Sequence, residues 1–380
     1  MIQKHMQSRT RVLSDYAVIL VFGIVTAAIL FKTVLPADIE PQLNEKRQLR
    51  KMPDFRLTRI CTFPDDFEGY FKDNFGFRNI FIRGHNWIQY RIFKSEIGGK
   101  VFTANDGWLF YARHDMIQDF LGHAALSRAE LDLWKGRLDK RRRLLDSHNI
   151  KYLFVIAPNK ISIYPEKLPY HIYINGRRTR MDQFMDYLQN TGFENILDMR
   201  KAMLEAKGSG LLYYPTDSHW NYRGGLVAYR QICAEISSRW TGDMNPLSKE
   251  DFVVDKEMFT GNLAEMMGLE GEFRIKADKF TLIKHRDARK MNSSGYSLPF
   301  EVRGGINIFD NPERKQSLLV VHDSFCLYGN IMTNLAEHFK RSVFIGDIHL
   351  ATSDLETVIE KERPDIVLEI TAEYRLGKLN

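Results

Sequence analysis

Short stretches at 151–157 (Lys-Tyr-Leu-Phe-Val-Ile-Ala), 317–322 (Ser-Leu-Leu-Val-Val-His), 342–345 (Ser-Val-Phe-Ile) and 365–370 (Asp-Ile-Val-Leu-Glu-Ile) are apolar almost without a break. A strand with one wet face alternates polar and apolar residues. A continuous run needs cover on both faces, as in a parallel sheet between layers of helices. The intervening segments supply such helices. Residues 127–148 place Leu131, Trp134, Leu138 and Leu145 on one face, and helical patterns recur at 180–190, 201–206, 328–340 and 354–361, with a short strand at 195–199. Strands alternating with helices predict an α/β fold, a mostly parallel sheet flanked by helices. Residues 241–315 break the pattern and read as an insertion with a few strands. Residues 99–111 read as a hairpin turning at Asn105-Asp106-Gly107.

In such sheets the chemistry collects beyond the carboxyl ends of the strands. Thr216-Asp217-Ser218-His219-Trp220-Asn221 lies in a loop before a helical segment that Asn221 can cap. Residues two apart in extended chain point the same way, so Asp217 can take one ring nitrogen of His219 and leave the other as a base. A base of this kind needs a nucleophile. Ser324 follows the 317–322 strand where a helical pattern begins. A serine hydroxyl becomes nucleophilic when a neighbouring base takes its proton. The N–H groups of Ser324 and Phe325 at that turn are candidates for an oxyanion hole. Each residue also has a plainer reading. Asp217 can cap a helix, His219 can be a core histidine, and Ser324 can be the N-cap of the 328–340 helix. Asn159 can donate to an oxyanion or stabilise a Pro-Asn turn. Lys160 can meet an anionic sugar or lie solvated. Trp220 can stack on a sugar or sit in the core, and Arg223 can position substrate or face solvent. His322 reads as packing, and is the rival base.

Residues 16–35 form the one membrane-length apolar segment, about 30 Å as a helix. Lys4, Arg9 and Arg11 precede it, which keeps a tail of residues 1–15 in the cytoplasm and the rest of the chain outside. A cleaved signal peptide is the rival, disfavoured by the lack of a small-x-small cleavage site. Residues 36–62, with Pro36, Pro41 and Pro53, read as a linker, and 63–380 as the main domain. The aromatic stretch Phe67, Tyr70, Phe71, Phe75, Phe77, Phe81, Trp87, Tyr90 reads as a helix pair packed on that domain. Charged residues make up 27% of the chain and the net charge is +6, but no basic run is interleaved with aromatics, so no nucleic acid is expected. The cluster Arg141-Arg142-Arg143 reads as a solvated helix face. Cys61, Cys233 and Cys326 are an odd number, and Cys233 and Cys326 read as buried and unbridged. No Cys/His spacing suits a metal, and no cofactor is expected.

Several segments together resemble the alginate O-acetyltransferase family of SGNH-hydrolase-like proteins: Phe75-Gly76-Phe77-Arg78, Asp106-Gly107-Trp108-Leu109-Phe110-Tyr111, Ala157-Pro158-Asn159-Lys160, Thr216 to Asn221, Thr260-Gly261-Asn262-Leu263-Ala264 and His322-Asp323-Ser324-Phe325. The resemblance covers about residues 60–375. It implies an SGNH-hydrolase-like fold with Ser324 as nucleophile, His219 as base and Asp217 as orienter. His322 stands where that family usually has Gly, and Asn262 where it often has Asp. The implied activity is acetyl transfer to hydroxyls of an exported bacterial polysaccharide. A polysaccharide acetyl-esterase of the same fold and a non-catalytic glycan-binding or assembly protein are the alternatives. Acetyl-coenzyme A stays in the cytoplasm, so an outward-facing triad needs a separate polytopic membrane acyltransferase to supply acetyl groups. The expected location is the cytoplasmic membrane, with the catalytic domain extracytoplasmic.

Overall fold

The computed structural model describes residues 2–34, 43, 48–93, 100–112, 115–169, 172, 177–242 and 244–377, with the backbone alone for 2–13 and 34. Two compact units divide the chain: residues 1–98 with 265–269, and residues 99–264 with 270–380.

In the first unit a helix runs from Ile2 to Val34, so the expected tail is its continuation. Its stretch Ser14–Thr33 is long and apolar enough to cross a membrane and is unburied by protein. A signal sequence has the same character. Residues 36–42 and 44–47 of the expected 36–62 linker lie outside the described residues. The helices Phe63–Asn74 and Arg78–Ile88 follow; Pro64, Asp65 and Asp66 in the first turn suit a helix start. Phe63, Phe67, Phe71 and Phe75 recur every four residues and their rings stack in a row, with centroids 5.9 to 6.4 Å apart. The row is not a core: Phe67, Phe71, Phe81 and Trp87 are all exposed. The stretch 63–98, read from sequence as the start of the catalytic domain, belongs to this first unit.

The second unit holds the strands. They are β1 (Val101–Thr103), β2 (Leu109–Tyr111), β3 (Lys151–Ala157), β4 (Ile196–Asp198), β5 (Phe252–Thr260), β6 (Arg274–Leu282), β7 (Arg289–Lys290), β8 (Ile306–Asp310), β9 (Ser317–His322), β10 (Arg341–Ile345) and β11 (Ile366–Ala372). Seven of them form one sheet in the order β4-β3-β11-β9-β10-β8-β7. The first five of that order pair in parallel, and β8 and β7 add antiparallel at one edge. The expected insertion is therefore shorter than 241–315. Within 241–315 the β5–β6 hairpin stands apart from the main sheet, and the chain returns to that sheet at β7.

The apolar runs are explained by two cores, one on each face. Leu153, Val155, Leu318, Val320, Ile366 and Leu368 point to one. Phe154, Ile156, Leu319, Val321, Val343 and Val367 point to the other. The helix Arg128–Ser147 opens on a Ser127–Glu130 capping box and packs Trp134, Leu138 and Leu145 on the second face. Arg141 is not solvated as its sequence context suggested. It is buried and ion-paired at 2.5 Å to Glu369, which also accepts from Tyr152 at 2.8 Å. An unpaired carboxylate inside a sheet would be prohibitive, and the arginine resolves that. Cys61, Cys233 and Cys326 are all free thiols.

The register sets the floor of the site. Ala372 of β11 lies beside Ala157, and Ile370 beside His322. The chain after β3 and the chain after β9 therefore emerge at one edge of the sheet, on either side of β11.

Candidate active site

The loop carrying Asp217 and His219 is pinched shut by a bridge between Tyr213 and Trp220. Asn221 then caps the helix Tyr222–Ile236, accepting from the Gly224 N–H at 3.0 Å. Inside the loop Asp217 is buried and three N–H groups converge on it. Its Oδ1 accepts from the His219 backbone at 2.9 Å and from His219 Nδ1 at 2.7 Å, and its Oδ2 from the Asn262 backbone at 2.7 Å. Burial works to raise its carboxyl, but the hydrogen bond and charge of His219 and the backbone donors outweigh it and hold the group below the ordinary value. An ionised Asp217 can only accept, so Nδ1 carries the ring proton and Nε2 presents its lone pair. That Nε2 lies 2.8 Å from Ser324 Oγ. Tyr328 stacks on the imidazole at 3.9 Å between centroids, 9° from parallel, and Phe325 meets it edge-on.

Asn262 explains how this chain does without an acid there. Its Oδ1 accepts from the Ser218 N–H and its Nδ2 donates to Ser218 Oγ, each at 3.0 Å. A carboxylate could not donate to Ser218 Oγ and would need the hydroxyl to donate to it instead. Gly261 beside it is packed so tightly that a Cβ would lie 2.0 Å from the Thr216 carbonyl oxygen.

Ser324 opens a 3-10 turn, Ser324–Leu327, that is capped by Asp323 and not by Ser324. Asp323 Oδ1 accepts from the Phe325 N–H at 3.0 Å. Its Oδ2 accepts from the Ala372 N–H at 2.7 Å and from Arg375 Nε at 3.2 Å. The expected helix at 328–340 is only Ile331–Ala336. With the cap supplied next door, the serine hydroxyl is left to His219. The same bond corrects one expectation: the Phe325 N–H is taken up by Asp323 and is not offered to an oxyanion. His322 is buried, as the packing reading held. Its Nδ1 contacts the Asp323 carbonyl at 2.8 Å, and Nε2 has no partner among the described residues.

Three further expectations change. Trp220 is fully buried; its Nε1 donates to the Phe325 carbonyl at 3.0 Å, so it braces the serine turn and offers no face to a sugar. Arg223 pairs with Asp278 of β6 at 3.1 Å. It lines neither cavity beside the serine turn. Lys160 is buried, and its Nζ donates to the carbonyls of Tyr214, Pro215 and Asp217 at 3.1, 3.0 and 2.6 Å, out of reach of an anionic sugar. Asn159 stays at the site. Its Oδ1 accepts from the Tyr374 N–H at 3.2 Å, which fixes the amide, and it lines a small cavity with Lys160, Ser218, Phe325 and Tyr374. Glu373 accepts from the Asn159 N–H at 2.7 Å and from Ser162 Oγ at 2.8 Å. Burial pushes its carboxyl up to about 7.

A larger cavity of about 250 Å³ opens on the other side of the serine turn. It is lined by Ser324, His322, Arg303, Asp347, His349 and Arg375 among others. Among the described residues no group of three or more His, Cys, Asp or Glu side chains is placed to hold a metal. Sequence reasoning missed Tyr328 and Asp323. The first carries no local signal. The second sat inside a recognised motif, and its neighbour in the turn, Phe325, was read as an oxyanion donor.

A family model described as the SGNH hydrolase-like domain of the acetyltransferase AlgX matches residues 101–301, more than half of the chain. The matched part includes Asn159, Asp217 and His219 and ends before Ser324. Among solved structures the chain is similar to Bacillus cereus PatB1, with 16% identity and a TM-score of 0.53 over 73% of this chain and 97% of that one. It is similar to the same protein carrying a sulfonyl adduct, with 17% identity and a TM-score of 0.54 over 73% and 96%. It also resembles a DHHW family protein from Eubacterium siraeum, with 13% identity and a TM-score of 0.51 over 72% and 91%. At these identities the likeness is one of fold. A search of curated proteins finds no match.

Proposed function

The chain belongs to the AlgX family of SGNH hydrolase-like acetyltransferases, and on that premise we propose that it transfers acetyl groups to hydroxyls of an exported bacterial polysaccharide through a serine acyl-enzyme. One observation carries the mechanism: His219 Nε2 lies 2.8 Å from Ser324 Oγ while the carboxylate of Asp217 holds Nδ1. Ser324 Oγ attacks the acetyl carbonyl as His219 Nε2 takes its proton. The carbonyl re-forms, the donor's leaving group departs with that proton, and acetyl-Ser324 remains. A sugar hydroxyl then attacks the ester and gives its proton to His219, and Ser324 recovers it as the acetylated sugar leaves. The Asn159 amide and the Ser324 N–H are the donors we assign to the oxyanion.

We assign this chemistry to the second unit, and to Ser14–Thr33 the role of a single-pass anchor that holds it outside the cytoplasmic membrane. One helix makes no path for an acetyl group, so a separate polytopic membrane protein is the proposed source. Tethering the two in one membrane raises their effective concentration.

The test is partition. Full-length protein is mixed with p-nitrophenyl acetate and a panel of oligosaccharides, and acetylated sugar and free acetate are quantified. Acetylated sugar is expected in excess for at least one acceptor and absent in Ser324→Ala. Acetate alone, with every acceptor, makes the protein an esterase.

A further inference from the structure

Lys160 is a buried ionisable group that the mechanism above leaves unused. It follows the end of β3 and opens the short helix Lys160–Ile163. Its Nζ lies over the faces of Trp108 and Phe110, 5.5 and 5.1 Å from the ring centroids. An ammonium has three N–H donors, and all three are matched: the carbonyls of Tyr214, Pro215 and Asp217 converge on Nζ. All three acceptors come from one four-residue stretch, Tyr214 to Asp217, which ends two residues before His219. Three carbonyl dipoles aimed at one dry point repel one another unless a cation sits there.

We propose that Lys160 is a positioning residue of the triad: its ammonium gathers the carbonyls of Tyr214, Pro215 and Asp217 and so fixes the Asp217 carboxylate against His219. This rests on the reading of Asp217, His219 and Ser324 as a working triad. The rest of the loop is held differently and less strongly. Leu109 donates to the Pro215 carbonyl at 2.9 Å, and Gly261 to Thr216 Oγ1 at 3.2 Å. Neither of these two bonds is to a charged group; the charge-assisted bond from outside the loop is that of the Asn262 N–H to the Asp217 carboxylate at 2.7 Å, which the clamp complements from the backbone side.

The clamp depends on protonation. Burial draws the ammonium down to about 7, and the charge of Asp217 works in the opposite direction. The groups that face it are the rings of Trp108 and Phe110, the three carbonyls and the Asp217 carboxylate. A protonated Nζ satisfies three acceptors. A neutral amine has two N–H groups and no charge, so above about pH 7 one of the three contacts is lost and the other two weaken; Pro215 and Tyr214 keep backbone donors in Leu109 and Asp217, and the loop loosens at the Asp217 carbonyl.

The test reads the Ser324–His219 pair without needing the natural acceptor. Full-length wild type, Lys160→Arg and Lys160→Met are treated with phenylmethanesulfonyl fluoride from pH 5.5 to 9.5. The rate of Ser324 modification is followed by mass. Wild type is expected to lose rate on the alkaline side. Lys160→Arg, which keeps its charge, is expected to hold its rate there. Lys160→Met is expected to be slower by on the order of tenfold or more at every pH, as loss of a bond to a charged donor implies. A wild-type rate that stays level or climbs to pH 9.5 overturns the proposal, and needs no variant to fold. So does folded Lys160→Met, checked by circular dichroism, reacting at the wild-type rate at pH 6. A protein that labels as expected but releases only acetate loses the transferase reading and keeps this one. One that acetylates sugar while Lys160→Met labels like wild type does the reverse.

Discussion

Two buried histidines precede Ser324 in the chain, His219 in contact with its hydroxyl and His322 two residues away, and they are built for opposite ends. His219 has a carboxylate on Nδ1 and a hydroxyl on Nε2. His322 lies two residues before the serine, with the Asp323 carbonyl at Nδ1 and no partner at Nε2 among the described residues. Burial lowers the pKa of His322, and the Asp323 hydrogen bond and charge oppose that only in part. Nearness to a serine therefore does not make a base. What matters is an anion behind the ring, which fixes the tautomer and stabilises the imidazolium that forms when the proton arrives. A neutral carbonyl at Nδ1 fixes the tautomer equally well and provides much less of the second effect.

The sharpest way to break this contrast is to remove each ring in turn. His219→Ala is expected to cut the sulfonyl labelling of Ser324 by on the order of 10⁵ or more, as for other serine triads. If that variant keeps its rate while His322→Ala loses it, the roles are reversed. Asp217→Asn is the next largest change, about 10⁴-fold, because an amide at that position can donate and so favours the wrong tautomer of His219. Its melting curve is expected to stay close to wild type, and a variant that labels normally would reduce Asp217 to a loop cap. Gly261→Ala is milder. Its Cβ would meet the Thr216 carbonyl oxygen at 2.0 Å, so the loop under Asp217 must shift. A displacement of about 1 Å at a reacting pair costs on the order of 10²-fold. A wild-type labelling rate in Gly261→Ala would mean that the loop position does not control the triad.

The sheet was legible because burial on both faces leaves a continuous apolar run. β3 falls at the residues expected, and β9, β10 and β11 within two of them. The shared location of Asn159 and Ser324 was legible for the same reason, since strand ends in a parallel sheet meet at one edge; His219 was placed there by a strand expected at 211–214, which is only the isolated bridge from Tyr213 to Trp220. What failed was the assignment of polar side chains near that edge. The ligand-facing readings of Lys160, Trp220 and Arg223 rested on side-chain types that suit sugars, yet each is consumed by a backbone carbonyl or a carboxylate from a distant segment, and of their plainer readings only the core position of Trp220 holds. Those partners, Tyr214 to Asp217, Phe325 and Asp278, are set by tertiary approach and leave no trace at the residue itself. The helix shortened to Ile331–Ala336 has a local cause. Gly329 and Asn330 both adopt positive φ, and Gly329 packs against Gly225 so closely that a Cβ on Gly225 would lie 2.4 Å from its Cα.

The smallest effect is the one that defines His322 as packing. His322→Phe keeps a ring of similar size in the same core but loses the donor to the Asp323 carbonyl, a change of about 1 kcal/mol. Labelling of Ser324 is expected to stay within about threefold of wild type. The variant should differ in the pH dependence of its stability. In the unfolded chain His322 titrates near its ordinary value of 6.5, and in the folded chain it resists protonation until a lower pH. Below 6.5 the unfolded state therefore binds more protons. The stability that neutral His322 allows is fully present above 6.5 and drains away as pH falls toward the folded value. Phenylalanine has no such loss, so the gap between the two melting temperatures should narrow, or change sign, on going from pH 7 to pH 4. Part of the acid slope will persist in the variant, because burial also draws His338 down to about 4. A gap that stays constant across that range would show that His322 is protonated as readily in the folded chain as out of it, and the distinction from His219 would then have to rest on Asp217 alone.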